Sequence, residues 1–155
     1  MDRKDISLLL LDYSKRMDAN GLTKTLRSAG YKIDVITSLN EIGYANSPKQ
    51  IDDYKLMIVH PNPNEVESIC PFLNGWFSTK GKPRIDVLYY YGNIPLMEKR
   101  PRIENKELEL SYDEELGFYW VDYGYGTANM MLKAVEYLIQ KRQKLLKELK
   151  VEAVE

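Results

Sequence analysis

Two side chains invite chemistry by their type and position. Asp12 follows the apolar run at residues 6–11, and His60, the only histidine, follows the apolar run at residues 56–59. A carboxylate offers hard oxygen ligands or a base. A histidine is the side chain that titrates nearest neutral pH, and it serves as base, metal ligand or switch. Four further residues fall in loops that leave these or other apolar runs: Ser14 just after Asp12, and Tyr91, Asn93 and Tyr123 further on. Asp12, Ser14, His60, Tyr91, Asn93 and Tyr123 are therefore the candidate walls of a ligand site.

Other constellations are incomplete. Two ligands, Asp12 and His60, fall short of a metal centre. No Gly-x-Ser-x-Gly elbow exists to present a serine. Cys70 is the sole cysteine, which excludes an intrachain disulfide. With Ile69 before it and Pro71 after it, nothing local activates a thiolate, and it reads as a small buried hydrophobe. Accordingly no catalytic residue, no metal site and no cofactor is expected.

Tyrosine is the most unusual component. Twelve are present, and seven lie between residues 89 and 125. Each joins an apolar ring to a polar tip, which suits stacked ligands and protein interfaces alike. Strand propensity alone also enriches tyrosine. Gly124-Tyr125-Gly126-Thr127 precedes the last helical pattern, but no phosphate-binding glycine signature accompanies it. Lys99, Arg100 and Arg102, flanked by Glu98 and Glu104, read as a solvated loop.

The elements that must position these residues alternate between strand and helix. Residues 6–11 form a continuous apolar run, as in a strand buried on both faces. Leu22, Leu26 and Ala29 recur at helical spacing, with Asp18 or Asn20 as N-cap and Gly30 as terminator. Residues 32–37 make a second strand. Ser38 and Glu41 have the spacing of a capping box for a short helix. Residues 56–59 form a third strand, and Asn64 caps a helix through Val66 and Ile69. Residues 85–91 form a fourth, and residues 93–107 read as irregular. Alternation at Leu108, Leu110 and Tyr112, then the aromatic run at 118–123, predicts a β-hairpin around residues 113–117. Residues 127–150 make a long C-terminal helix, capped by Thr127 and striped by Leu132, Val135, Leu138, Ile139, Leu145, Leu146 and Leu149.

That order predicts an α/β fold: a doubly wound three-layer sandwich on a mostly parallel five-stranded sheet, with a hairpin inserted after the fourth strand. The whole chain, 1–155, reads as one domain, since 155 residues suit a single core. Charge is balanced, with 22 Lys plus Arg against 23 Asp plus Glu. Such a balance gives no drive toward nucleic acid or an anionic membrane. The apolar run at 6–11 is too short to span a bilayer and lacks a cleavage site. The expectation is a cytoplasmic protein.

Residues 6–91 resemble a response-regulator receiver domain. The resemblance lies in the strand-acid start "ISLLLLDYS", the helix and strand "LTKTLRSAGYKIDVI", and "DDYKLMIVHPNPNE" around the third strand. It implies a receiver-like, flavodoxin-like sheet. It also implies chemistry that this chain largely lacks. Of the acidic pair that holds magnesium, Leu11-Asp12 keeps one carboxylate. His60 stands where the phosphoacceptor aspartate belongs. Tyr91-Gly92 replaces the hydroxyl residue after the fourth strand, and Asp122, Tyr123 and Gly124 stand in place of the lysine after the fifth. The resemblance therefore implies a pseudo-receiver: a non-catalytic signalling module that acts through protein contacts and takes no aspartyl phosphate. The C-terminal helix, with leucines beyond the reach of the sheet, predicts self-association. The alternative is a small-molecule protein or enzyme, nucleotide- or flavin-binding, built on the six wall residues.

Overall fold

The structure, a computed structural model, describes residues 2–12, 21–38, 41, 50, 53–60, 85–90, 102–114, 117–121 and 128–154. A short 3-10 turn at Arg3–Asp5 leads into β1 (Ser7–Asp12). Then come α1 (Leu22–Ser28), β2 (Lys32–Ile36), β3 (Leu56–His60) and β4 (Asp86–Tyr90). β5 (Arg102–Asn105), β6 (Leu110–Asp113), β7 (Phe118–Val121) and α2 (Ala128–Val154) complete the described elements.

All seven strands form one sheet in the order β2-β1-β3-β4-β7-β6-β5. The five strands from β2 to β7 in that order pair in parallel. β6 and β5 pair antiparallel and extend the sheet beyond β7. The protein is thus α/β, with a mostly parallel sheet and a C-terminal helix.

β1 and β3 are central and apolar because both their faces lose water. Leu8, Leu10, Leu56 and Ile58 join one core with Leu22 and Leu26 of α1 and with Met131, Ala134, Val135, Leu138 and Ile139 of α2. Leu9, Leu11, Met57, Val59 and Val87, which alternate with them, are fully buried on the other face. Two buried faces explain unbroken apolar runs where a half-exposed strand would alternate.

Helix α1 ends where the periodicity predicts, and Gly30 takes φ 109 just after it. A side chain there would be strained, and its Cβ would meet Arg3 Cβ at 3.3 Å. Arg3 occupies that space. It donates to Ala29 O at 3.2 Å, lies 5.8 Å from the centre of the Tyr31 ring and pairs with Glu136 of α2. One side chain so ties the entry of β1 to both described helices. The start of α1 differs from expectation. Gly21, with φ 75, is the N-cap, the position expected of Asp18 or Asn20, and as a glycine it makes no side-chain cap. Half of the capping box after β2 forms: Glu41 Oε2 accepts from the Ser38 amide at 3.1 Å and the Thr37 amide at 2.7 Å.

The strand count is corrected from five to seven, for two reasons. The hairpin strands join the main sheet, with Asp113 opposite Phe118 and Leu110 opposite Val121. Residues 102–105, expected to be irregular, form edge strand β5. Arg102 and Glu104 share one face of it and pair with each other at 3.1 Å. Arg102 also pairs with Glu114 at 3.2 Å, and Glu104 with Lys141 of α2. Tertiary ion pairs thus override weak strand propensity, and charge on an edge strand also discourages further pairing. Leu108 lies in the β5–β6 turn and not in a strand. The last helix reaches Val154, four residues past its expected end. The helix expected after Asn64, Cys70 and the cap Thr127 lie outside the described residues.

Candidate functional site

Strand register brings the two chemically active residues together. Asp12 is the last residue of β1 and His60 the last of β3, and they are direct partners across the parallel ladder. Both fall on the face that β1 and β3 share with α1 and α2, by alternation from Leu8, Leu10, Leu56 and Ile58. His60 Nδ1 lies 3.7 Å from Asp12 Oδ1. That is ion-pair range but longer than a hydrogen bond. Asp12 is 1% exposed and His60 7%.

The location follows from topology. From β1 the chain passes outward to β2, then returns to β3 on the other side of β1. Connections therefore diverge at the carboxyl ends of β1 and β3, and open α/β sheets bind ligands at such a divergence. Asp12 and His60 stand on its two sides.

Chemically, the Asp12 carboxylate stands within ion-pair range of the His60 ring and limits how it can turn. The pair can hold a cationic or hydrogen-bonding group, or move a proton. Among the described residues no three His, Cys, Asp or Glu side chains come together to hold a metal ion. A buried pair of this kind is weak evidence for stability, because desolvation of both charges offsets their attraction. Its place at the carboxyl edge is the more informative property.

Of the six expected wall residues, the structure brings Asp12 and His60 together. Ser14, Tyr91, Asn93 and Tyr123 lie outside the described residues. Four of the clustered tyrosines lie in described strands, Tyr90 as the last residue of β4, and the side chains of three are described. Tyr89 stacks on Trp120 with centroids 4.4 Å apart and meets Phe118 in a tilted contact at 5.3 Å. This aromatic layer lies across β4 and β7, on the face opposite Asp12 and His60. Among the described residues the buried Trp120 indole N–H finds no hydrogen-bond partner. Tyr112 and Tyr119 pack at 4.8 Å on the helix-bearing face. Burial first, and then the Asp86 carboxylate, push the Tyr119 hydroxyl up to about 12.

A second polar cluster was not foreseen. Lys141 pairs with Glu104, approaches Tyr119 Oη at 3.4 Å and lies 5.6 Å from that ring's centre. Arg102 sits 5.4 Å from the centre of the Tyr112 ring. Arg102 is therefore part of an edge strand and not of a loop, with its side chain half exposed as the charge pattern led one to expect. The alternation Arg102-Ile103-Glu104-Asn105 was the available signal, masked by Pro101 and by the surrounding charges.

No helix among the described residues is long and apolar enough to cross a membrane. Comparison with protein-family models, with curated proteins and with solved structures finds no match.

Proposed function

We propose that this chain is a receiver-like, doubly wound three-layer module that has lost aspartyl phosphorylation and acts through protein contacts. One observation carries the reading. His60 ends the third parallel strand, where the receiver resemblance calls for a phosphoacceptor aspartate, and it faces Asp12 across the ladder. An imidazole there gives no acyl phosphate, and a single nearby carboxylate is a poor magnesium site. The parallel strand order β2-β1-β3-β4-β7 and the burial of both sheet faces support the doubly wound layout. The contact element is α2, whose Leu145, Leu146 and Leu149 are about half exposed; the partner is a second copy of the chain.

Intact mass after incubation with magnesium and a small acyl phosphate tests the reading. The expected result is an unchanged mass. A stable adduct of one phosphoryl group would overturn it.

The position of Asp12 and His60 at the divergence between β1 and β3 favours one second reading, a small-molecule site with a nucleotide- or flavin-like ligand. Native mass spectrometry of freshly purified protein separates the two. A co-purifying mass of a few hundred daltons, released by Asp12→Ala, establishes the ligand site.

A further inference from the structure

We infer that the outer edge of β2 is a pairing surface for a second copy of this chain, and that Arg27 of α1 holds it shut. This contact is separate from the one proposed above for α2.

β2 ends the sheet beside β1. One hydrogen bond fixes the direction of its main-chain groups. The Lys32 amide donates to Ile6 O at 3.0 Å, so Lys32 faces β1. Successive peptide groups of an extended chain point to opposite edges. Asp34 and Ile36 therefore also face β1, whereas Ile33 and Val35 turn their amides and carbonyls outward. Such a row is a template for strand addition unless something covers it.

Arg27 covers part of it. Its Nη2 donates to Ile33 O at 3.2 Å. The bond reaches from the last turn of α1 to the strand that follows, and it places a guanidinium charge on the edge. The opposite edge is closed by other means. β5 carries Arg102 and Glu104, and its register shifts between Ile103 and Asn105.

The carbonyl that Arg27 takes is the decisive one, because few registers are open to a second copy. Two copies related by a two-fold axis pair antiparallel, and outward residues then oppose outward residues. Lys32 and Asp34 are the charges of β2, and both are exposed. The Tyr54 hydroxyl donates to Asp34 Oδ2 at 2.7 Å, which orients that carboxylate without neutralising it. With Asp34 on the axis, the two carboxylates oppose each other. With Val35 on the axis, Lys32 meets Ser38 and Asp34 meets Ile36. With Ile33 on the axis, Lys32 of each copy opposes Asp34 of the other, and unlike charges face each other twice. That register needs each Ile33 amide to donate to the Ile33 carbonyl of the other copy. Arg27 already holds this acceptor, and the same axis would set two guanidinium groups side by side. A single contact thus blocks the register that the charges favour.

The test uses the full chain, with the unchanged protein as reference. Arg27→Ala keeps a good helix former in α1 and is expected to retain the circular dichroism of the fold. It should lower the dissociation constant of self-association at least about tenfold in sedimentation. Zero-length carbodiimide coupling of mixed light and heavy-isotope Arg27→Ala chains should link Lys32 of one copy to Asp34 of the other. The unchanged protein should give no such link. Adding Lys32→Glu should remove the gain, because a carboxylate then opposes Asp34. Should Arg27→Ala lose the fold, Arg27→Gln, which keeps part of the stem, carries the same readouts. A folded Arg27 variant that associates no better than the reference overturns the inference. So does a Lys32–Asp34 link between copies of the unchanged protein, since the edge is then open. Association that is gained without Arg27 but survives Lys32→Glu runs through another surface and overturns it as well.

Discussion

The two edges of the sheet break the usual partition of residues in opposite ways. At the carboxyl edge a carboxylate and an imidazole are buried side by side, at 1% and 7% exposure. At the amino edge charged residues stay near the surface, and the helix then carries three leucines out into solvent. A buried ionisable pair and an exposed apolar stripe are the informative exceptions to the rule that apolar groups go inside. The contrast teaches that one scaffold separates two tasks. The buried pair sits where connections diverge, and the exposed leucines proposed above as a contact lie some 20 Å or more away along the helix axis. A change at either edge should leave the other intact.

The sharpest way to break this division is at Asp12. Asp12→Ala leaves His60 buried without the carboxylate 3.7 Å away, and should destabilise the fold by about 2–3 kcal/mol in urea melts. The dissociation constant of the proposed self-association should not move. A change in assembly would couple the edges and undo the comparison.

Next in size is the cluster that fixes β5 to α2. Glu104 pairs with Lys141 and Arg102, whose side chains are half exposed. Glu104→Gln should therefore cost only about 1 kcal/mol. Its signature is local: faster hydrogen exchange in β5 with unchanged protection in β1 and β3.

A smaller effect is alkaline. The Tyr119 hydroxyl is raised from 10.0 to about 12, by burial first and then by Asp86. The folded state therefore holds this proton more tightly than the unfolded chain. Stability is intact at pH 10 and below, and falls as pH climbs toward 12. Burial raises Tyr31 and Tyr54 as well, so all three contribute to the same slope. Tyr119→Phe should flatten the slope without altering neutral stability by more than about 1 kcal/mol. Smallest of all, Leu149→Lys should change monomer stability by less than about 0.5 kcal/mol, whatever it does to the proposed self-association.

Much of the fold is legible in the residue order. The runs at 6–11 and 56–59 announced strands buried on both faces, because only two-sided burial favours unbroken apolar sequence. Gly30 marked the end of α1, because its backbone must turn left-handed beside Arg3. The aromatic hairpin was legible from alternation at Leu110 and Tyr112 and from the β-rich run that starts at Phe118. Other features lay beyond reach. β5 was hidden because a charged four-residue segment is a strand only when β6 and Lys141 are beside it. The N-cap at Gly21 was hidden because a backbone with φ 75 leaves no side-chain signature of its own.

The candidate site divides along the same line. The sequence by itself determined that Asp12 and His60 each close a buried apolar run, since the change from apolar to ionisable side chains marks that point in the pattern. Only the tertiary structure decided that β1 and β3 are neighbours in register. Pairing between strands more than forty residues apart depends on how the chain crosses the sheet, and local pattern carries no record of that path. The same holds for α2. Its leucine stripe is written in the sequence, but the point where the sheet stops covering it is set by the length of the strands on which it lies.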